Sequence, residues 1–140
     1  MRRTALMLGT AMLFGAAVGA IGVGALSAQH HQAAEARNVL IKKDLVGLDG
    51  YQVYIWRTDI GPGGVGKKHY HPGTECNFVL EGSLILEKEG QESVNMKPGD
   101  AHCADPRQVL IPRNASQTEP YKSVVVMIAP KDQPLSVPLE

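Results

Sequence analysis

Residues 63–82 read GGVGKKHYHPGTECNFVLEG, and this stretch decides both the fold and the candidate site of the chain. His69 and His71 are two positions apart, so on a β-strand both side chains project from the same face. Glu75 follows a Pro-Gly break, which lets the chain turn and direct the carboxylate towards the same point. Two neutral imidazoles and one carboxylate are typical of first-row transition-metal sites with open coordination positions. The three residues are therefore candidate metal ligands.

A His-x-His pair is a weak signal by itself, since histidines on strands are often only hydrogen-bonded core or surface groups. The flanking residues make the pattern specific. Five residues separate Gly63 from His69, three separate His71 from Glu75, and six separate Glu75 from Gly82. With all of these spacings met, the stretch resembles the first motif of the cupin superfamily, and more closely that of its small, exported, single-domain members.

The resemblance covers most of the chain, from Val39 to Pro134, and residues 97–100 (KPGD) resemble the entrance to the second cupin motif. It implies a jelly-roll β-barrel with a cavity at one mouth. It also implies that the two histidines and the glutamate bind a divalent first-row transition metal: iron, manganese, nickel or zinc. Because cupin barrels commonly pair edge to edge, the resemblance implies a homodimer, and residues 51–60 are a candidate edge strand.

The second motif departs from the family pattern, which ends in a histidine, the usual fourth ligand, followed by an asparagine. Aligned without gaps from Gly99, this chain has Arg107 at the second glycine and Leu110 at the histidine, and it keeps Asn114. A rival alignment with an insertion puts Gln117 at the histidine position, but it leaves too little chain before the next strand. The ungapped alignment is preferred, and in it the fourth ligand is missing.

His102 is a candidate replacement for that ligand. It lies shortly before a turn around residues 105–108, and folding this turn back would place it opposite Leu110. A histidine facing an apolar barrel interior needs a hydrogen-bond partner, which an open metal position would supply. The alternative is an inward-facing histidine that bonds only a water or a carbonyl. Asp105 and Arg107, at the predicted mouth, either bind an anionic substrate or pair with each other in solvent.

The rest of the chain has the signature of an all-β domain. Residues 51–60 alternate, with Tyr54, Trp56, Thr58 and Ile60 on one face. No segment has a convincing amphipathic helix pattern. Further strands are predicted at residues 39–41, 77–80, 83–87, 94–96 and 123–129. Short strands at close spacing, with glycine and proline between them, predict a sandwich or barrel.

One barrel domain accounts for residues 39–134, with a linker at 29–38 and a tail at 135–140. Residues 1–28 form a targeting segment, in which an arginine pair precedes a long uncharged run that ends in small residues. The run is also long enough to span a bilayer, so the segment is either a cleaved export signal or a retained anchor. In both cases the barrel is exported, to the periplasm or facing it from the inner membrane.

Charge and cysteine content limit the function classes. Lysine plus arginine and aspartate plus glutamate number 14 each, so the formal net charge is zero and no basic excess indicates nucleic acid. Cys76 and Cys103 would face an oxidising compartment, where they either form a disulfide or remain two ordinary thiols. The doublet His30-His31 lies in the linker and is interpreted as solvated.

The sequence is compatible with three different functions. One is an enzyme that uses the metal on a small molecule, either for oxygen activation or as a Lewis acid that polarises a carbonyl or enolate. Tyr54 and Tyr70 are its candidate acid–base groups. Another is a non-catalytic module that binds a metal or a small ligand. A third is an accessory subunit that an uncleaved N-terminal segment tethers to the membrane.

The targeting segment generates the first testable prediction. If it is a cleaved signal, the mature chain begins near Gln29, because Ala28 ends the small-residue segment after the apolar run. Intact-mass spectrometry of the protein from its native envelope measures this. A start after Ala25 would indicate the second cleavage candidate. An intact Met1, with the protein in the membrane pellet after a salt wash, would show an anchor.

Overall fold

The computed structural model describes residues 35–140, and all of their regular secondary structure is β-strand. The strands are β1 (Ala36–Asp44), β2 (Tyr51–Ile60), β3 (His69–Tyr70), β4 (Thr74–Glu81), β5 (Leu84–Lys88), β6 (Val94–Met96), β7 (Ala101–Ala104), β8 (Leu110–Asn114), β9 (Tyr121–Pro130) and β10 (Val137–Pro138). They form two five-stranded sheets, in the orders β1-β2-β9-β4-β7 and β10-β3-β8-β5-β6. All neighbours pair antiparallel, as the predicted jelly-roll barrel requires.

The predicted alternation in β2 is confirmed, and it explains how this strand covers the core. Tyr54, Trp56, Thr58 and Ile60 are each at most 5% exposed, whereas Arg57 on the other face is exposed. β9 pairs with β2 along its whole length, so the inward residues of both strands share one core. The expectation that β2 forms a free edge is wrong, because β1 and β9 pair with its two sides and β1 lies at the edge.

The barrel extends beyond the predicted limits of residues 39 and 134. β1 begins at Ala36, and β10 pairs with β3 within the segment predicted as a tail. The strand expected to carry the two histidines is β3, and the strands expected before and after the turn at 105–108 are β7 and β8. β10 was not predicted, because it has only two residues and one of them is a proline. The predicted targeting segment, His30-His31 and most of the predicted linker lie outside the described residues. No helix in residues 35–140 is long and apolar enough to cross a membrane.

Two of the turns with a left-handed backbone bear on the motif positions, and one of them uses an arginine. Gly82 has a φ of 73°, and a Cβ there would lie 2.3 Å from the carbonyl oxygen of Pro120, so only glycine fits. Arg107 has a φ of 68°, which is uncommon for a residue with a side chain. It occupies the position of the second glycine in the ungapped alignment. A left-handed backbone is the conformation that glycine adopts most readily, so the structure is compatible with a glycine position there, as the ungapped alignment has it.

Cys76 and Cys103 form a disulfide, so of the two sequence interpretations the one with two thiols is wrong. The two residues are directly opposite each other in the pairing of β4 with β7. β7 is the outermost strand of its sheet and has only four residues. The disulfide therefore fastens a short edge strand to the sheet that carries Glu75.

This bond generates a prediction about stability. It links residues 27 positions apart, and closing a loop of that size in the unfolded chain stabilises the folded state by about 3.5 kcal/mol. Urea unfolding of the oxidised protein should show a free energy higher by that amount than the Cys76→Ala/Cys103→Ala double variant. A reductant should lower the free energy of unfolding of the wild type and leave that of the double variant unchanged. Equal unfolding curves for both proteins without reductant would contradict the prediction.

Candidate metal centre

A cavity in the barrel interior brings together the three predicted ligands. His69, His71 and Glu75 all line it, and its free volume is about 30 Å³, room for about two water molecules. The apolar part of its wall comes from both sheets and consists of Trp56, Ile60, Leu84, Leu86, Leu110, Pro112 and Val125. Polar groups in this cavity are consequently held away from bulk water.

The two histidines are fixed by backbone carbonyls. His69 Nδ1 lies 2.6 Å from the carbonyl oxygen of Lys67, and His71 Nδ1 lies 2.5 Å from that of Leu135. A carbonyl oxygen only accepts, so each Nδ1 carries the ring proton and donates it. Each neutral ring then has an unprotonated Nε2, and the two Nε2 atoms are 3.1 Å apart inside the cavity.

This contact places two acceptors against each other. With both Nδ1 atoms protonated, no proton lies between the Nε2 lone pairs, and the approach is unfavourable unless a cation joins them. Two imidazole nitrogens bound to one ion at about 2.1 Å, at a right angle, would be about 3 Å apart. Metal-binding histidines also typically donate their second nitrogen to a carbonyl or carboxylate. The separation and the tautomers both fit a shared metal ion.

Glu75 supplies the carboxylate from the opposite sheet. It lies in β4, and its Oε2 is 3.7 Å from His71 Nε2. Only 7% of the residue is exposed. Burial raises the pKa of Glu75 to about 7, an effect that the positive charge of Arg37 partly opposes. A buried carboxyl group of this kind is stabilised by a bound proton or by a cation.

Burial has the opposite effect on the histidines. It lowers the pKa of His71 to about 4, with the neighbouring His69 as the second cause, and it also lowers the pKa of His69. Both rings are therefore neutral at pH 7. Neutral imidazole is the form that coordinates metals.

The side chains of the described residues are not already arranged as a complete set of metal ligands. Between residues 35 and 140, no group of three or more His, Cys, Asp and Glu side chains is already placed to hold an ion. The fit to a metal depends on the chemistry of the donors: two facing lone pairs, tautomers fixed by carbonyls, and a buried carboxylate beside them.

The position of the fourth family ligand is apolar. Leu110 is the direct strand partner of His69, is 2% exposed and lines the cavity. Gln117 is exposed, with its amide against Gly63 and away from the cavity wall. The ungapped alignment therefore describes the structure, and the rival alignment with Gln117 is wrong.

The expectation that His102 faces Leu110 is also wrong. His102 lies in β7, where its strand partner is Asn77, whereas Leu110 lies in β8 of the other sheet. The turn at 105–108 carries the chain from one sheet to the other and does not fold it back as a hairpin. His102 is partly buried and is not among the residues that line the cavity. The geometric basis for a His102 ligand is thus lost.

Sequence reasoning missed several residues of the cavity. Glu35 and Arg37 line it from the segment predicted as a linker, and Tyr121 lines it from β9. Extending the β9 alternation by two residues would have placed Tyr121 on the buried face with Ser123. No sequence signal pointed to the carbonyl of Leu135, which lies in the predicted tail.

The other candidates from the sequence lie elsewhere. Tyr54 is buried and donates to Gln52 Oε1 at 2.7 Å, and Tyr70 lies outside the cavity. The guanidinium of Arg107 is 5.9 Å from the centre of the Tyr70 ring, and its backbone N–H donates to the carbonyl of His71. Within residues 35–140, Arg107 forms no ion pair with Asp105.

Solved structures share this fold. A Klebsiella pneumoniae protein with a double-stranded β-helix domain superposes with a TM-score of 0.58 and 25% identity, covering 76% of this chain and 85% of that one. The DMSP lyase of Ruegeria pomeroyi gives a TM-score of 0.60 at 19% identity, covering 74% and 50%. Oxalate oxidase in complex with glycolate gives 0.54 at 24% identity, covering 62% and 46%. This chain spans half or less of those two enzymes, and its likeness to them shows the fold alone.

Comparison of the sequence with curated proteins gives no match. The cupin-domain family model, by contrast, matches residues 56–127, which is more than half of the chain. The matched range begins in β2, ends in β9 and contains His69, His71 and Glu75. This chain therefore belongs to the cupin-domain family.

Proposed function

We propose that this protein is an exported cupin that binds one divalent first-row transition metal through His69, His71 and Glu75 and acts on a small molecule. The observation that carries the proposal is the pair of unprotonated Nε2 atoms 3.1 Å apart, beside a buried carboxylate. Oxalate oxidase and a DMSP lyase, two enzymes of the same fold, are named for small molecules, which is consistent with this proposal.

A metal bound here supplies Lewis acidity or, if it is redox-active, a site for electron transfer. The chain's own residues orient and shield that chemistry. The carbonyls of Lys67 and Leu135 hold the imidazoles in one orientation. The apolar wall around Leu84, Leu86 and Leu110 excludes bulk water, which strengthens electrostatic interactions in the cavity.

Tyr121 is the residue suited to hold a proton in this site. Its hydroxyl donates to Asn77 Oδ1 at 3.1 Å, and both residues line the cavity. Burial raises the pKa of Tyr121 above its usual value, so the hydroxyl stays protonated at neutral pH. In the enzyme hypothesis it orients a ligand by hydrogen bonding or donates a proton to it.

A non-catalytic binding module is the second candidate function, and Leu110 favours it. An apolar side chain at the fourth ligand position leaves only three protein donors. Catalysis of small-molecule turnover by the metal-loaded protein, screened first by oxygen consumption, supports the enzyme. Metal or ligand binding without turnover supports the module.

Location and assembly are part of the same proposal. The protein is exported to the periplasm, or faces it from an inner-membrane anchor, and the Cys76–Cys103 disulfide fits an oxidising compartment. A homodimer would form through the edge strand β1, because β2 is already paired on both sides. The proposed metal is iron, manganese, nickel or zinc.

The donor set generates a prediction about metal content. His71→Ala removes one of three protein donors and should lose most of the bound metal while the barrel stays folded. Elemental analysis of protein purified without a histidine tag measures the metal, and circular dichroism checks the fold. His102→Ala is the matched control and should keep full metal content, because His102 does not line the cavity. Full metal content in His71→Ala, or metal loss in His102→Ala, would overturn the proposed donor set.

The raised pKa of Glu75 generates a prediction with opposite signs in the two metal states. In the metal-free protein the neutral carboxyl stabilises the fold fully below pH 4.5, and this contribution is lost as the pH rises through about 7. Glu75→Gln stays neutral, so around pH 8 it should be more stable than the wild type by about 1–3 kcal/mol. At about pH 4 the two metal-free proteins should be equally stable.

With metal present, the order should reverse around pH 8, because the variant lacks one donor and gains less stability from binding. Urea unfolding with added metal and with a chelator measures both states. The lowered pKa of His71 affects both proteins alike and cancels in the comparison. A variant that is less stable than the wild type in chelator at about pH 8 would contradict the prediction.

A further inference from the structure

Two charged side chains, one just before β1 and one near its start, line the cavity together with the proposed metal ligands. Glu35 and Arg37 are two positions apart, and Arg37 is the strand partner of Thr58, whose side chain is buried. Their own side chains are 15% and 22% exposed. They therefore stand at the boundary between the cavity and solvent, where they can contact an entering ligand.

Two hydrogen bonds hold the Arg37 guanidinium in place, and not all of its N–H groups are paired within residues 35–140. Its Nε donates to Glu35 Oε1 at 2.8 Å, and its Nη1 donates to Ser136 Oγ at 2.7 Å. Its Nη2 has no hydrogen-bond partner in residues 35–140. A guanidinium is a planar fork that matches a carboxylate with two parallel hydrogen bonds. In this protein the Nε–H group of that fork already donates to the carboxylate of Glu35 in the same chain.

The charges of the cavity favour an anionic ligand. Among the described residues that line the cavity, Arg37 is the only Lys or Arg, and Glu35 and Glu75 are the only acidic residues. With both histidines neutral and a divalent ion bound, the two carboxylates and the guanidinium leave one net positive charge. Beside an apolar wall and largely buried ligands, this charge attracts an anion more strongly than it would in bulk water.

We propose that Arg37 binds the carboxylate group of a small anionic ligand at the entrance to the metal cavity, and that Glu35 occupies the guanidinium when no ligand is present. The proposal deepens the proposed function and rests on it, since the metal supplies part of the positive charge. The free volume of about 30 Å³ limits the ligand to a few non-hydrogen atoms unless Glu35 moves aside.

Glu35 also has contacts that fit a displaceable group. If Gly66 carried a Cβ atom, that atom would lie 3.2 Å from the second carboxylate oxygen of Glu35, Oε2. The carboxylate therefore packs against the glycine backbone. It lies just before β1, with no strand pairing of its own. Movement of the Glu35 side chain would release the Arg37 guanidinium for ligand binding and would leave the pairing of β1 with β2 intact.

Acetate binding to the Co²⁺-loaded full chain tests the proposal, with acetamide as a neutral probe of the same shape. The visible absorption of the bound Co²⁺ reports ligand binding without any need for turnover. Arg37→Gln should weaken acetate binding by about tenfold or more, the order expected for loss of a charge-assisted hydrogen bond. Glu35→Gln should strengthen acetate binding severalfold, because it removes both the competing carboxylate and its charge. Acetamide binding should change little in either variant.

The two variants are expected to change the acetate affinity in opposite directions. This separates the proposal from misfolding, since a damaged protein does not bind a ligand more tightly. Arg37→Lys keeps the charge but loses the fork, and should lie between the wild type and Arg37→Gln. Normal Co²⁺ uptake with equal acetate affinity in the wild type and Arg37→Gln overturns this inference alone. Unchanged or weaker acetate binding in Glu35→Gln overturns the role of Glu35. Failure of the wild type to take up Co²⁺ overturns the proposed metal site and the inference with it.

Discussion

The facing imidazoles of His69 and His71 are the interaction on which the rest of the site depends. Two acceptor nitrogens 3.1 Å apart are tolerated only because each ring is anchored on its far side by a carbonyl. Those anchors come from different parts of the chain. One is local, from Lys67, and the other comes from Leu135, just before β10. Much of the short sheet around β3 therefore serves to hold two rings in a contact that they would not adopt freely.

Placing these groups in an apolar cavity sets the energetics of the protein. The same burial keeps the imidazoles neutral and the carboxyl of Glu75 partly protonated near pH 7. Metal-free, the site is therefore a locally unfavourable arrangement that the surrounding core and the disulfide must stabilise. A bound cation would relieve both the lone-pair contact and the buried charge. Binding of the proposed metal would consequently be coupled to stability through the same three side chains.

The sequence predicted the features that follow from periodicity and spacing. The alternation of residues 51–60 identified the buried face of β2, and the motif spacing brought His69, His71 and Glu75 into one cavity. Sequence could not predict contacts made across the fold by backbone atoms or by short strands. His102 was misplaced because a turn between sheets and a hairpin turn have similar residues. Arg37 was missed because β1 is mostly exposed and gives no clear alternation.

The anchoring of His71 by Leu135 has a consequence for the order in which the site forms during synthesis. The segment around Leu135 and Ser136 contacts both the second histidine and Arg37, and it leaves the ribosome more than sixty residues after the histidines do. A partly synthesised chain therefore lacks the tautomer-fixing carbonyl and the partner of the guanidinium. The cavity is completed only when the late segment has closed against β3. Until then His71 is not fixed in the orientation that the proposed metal site requires.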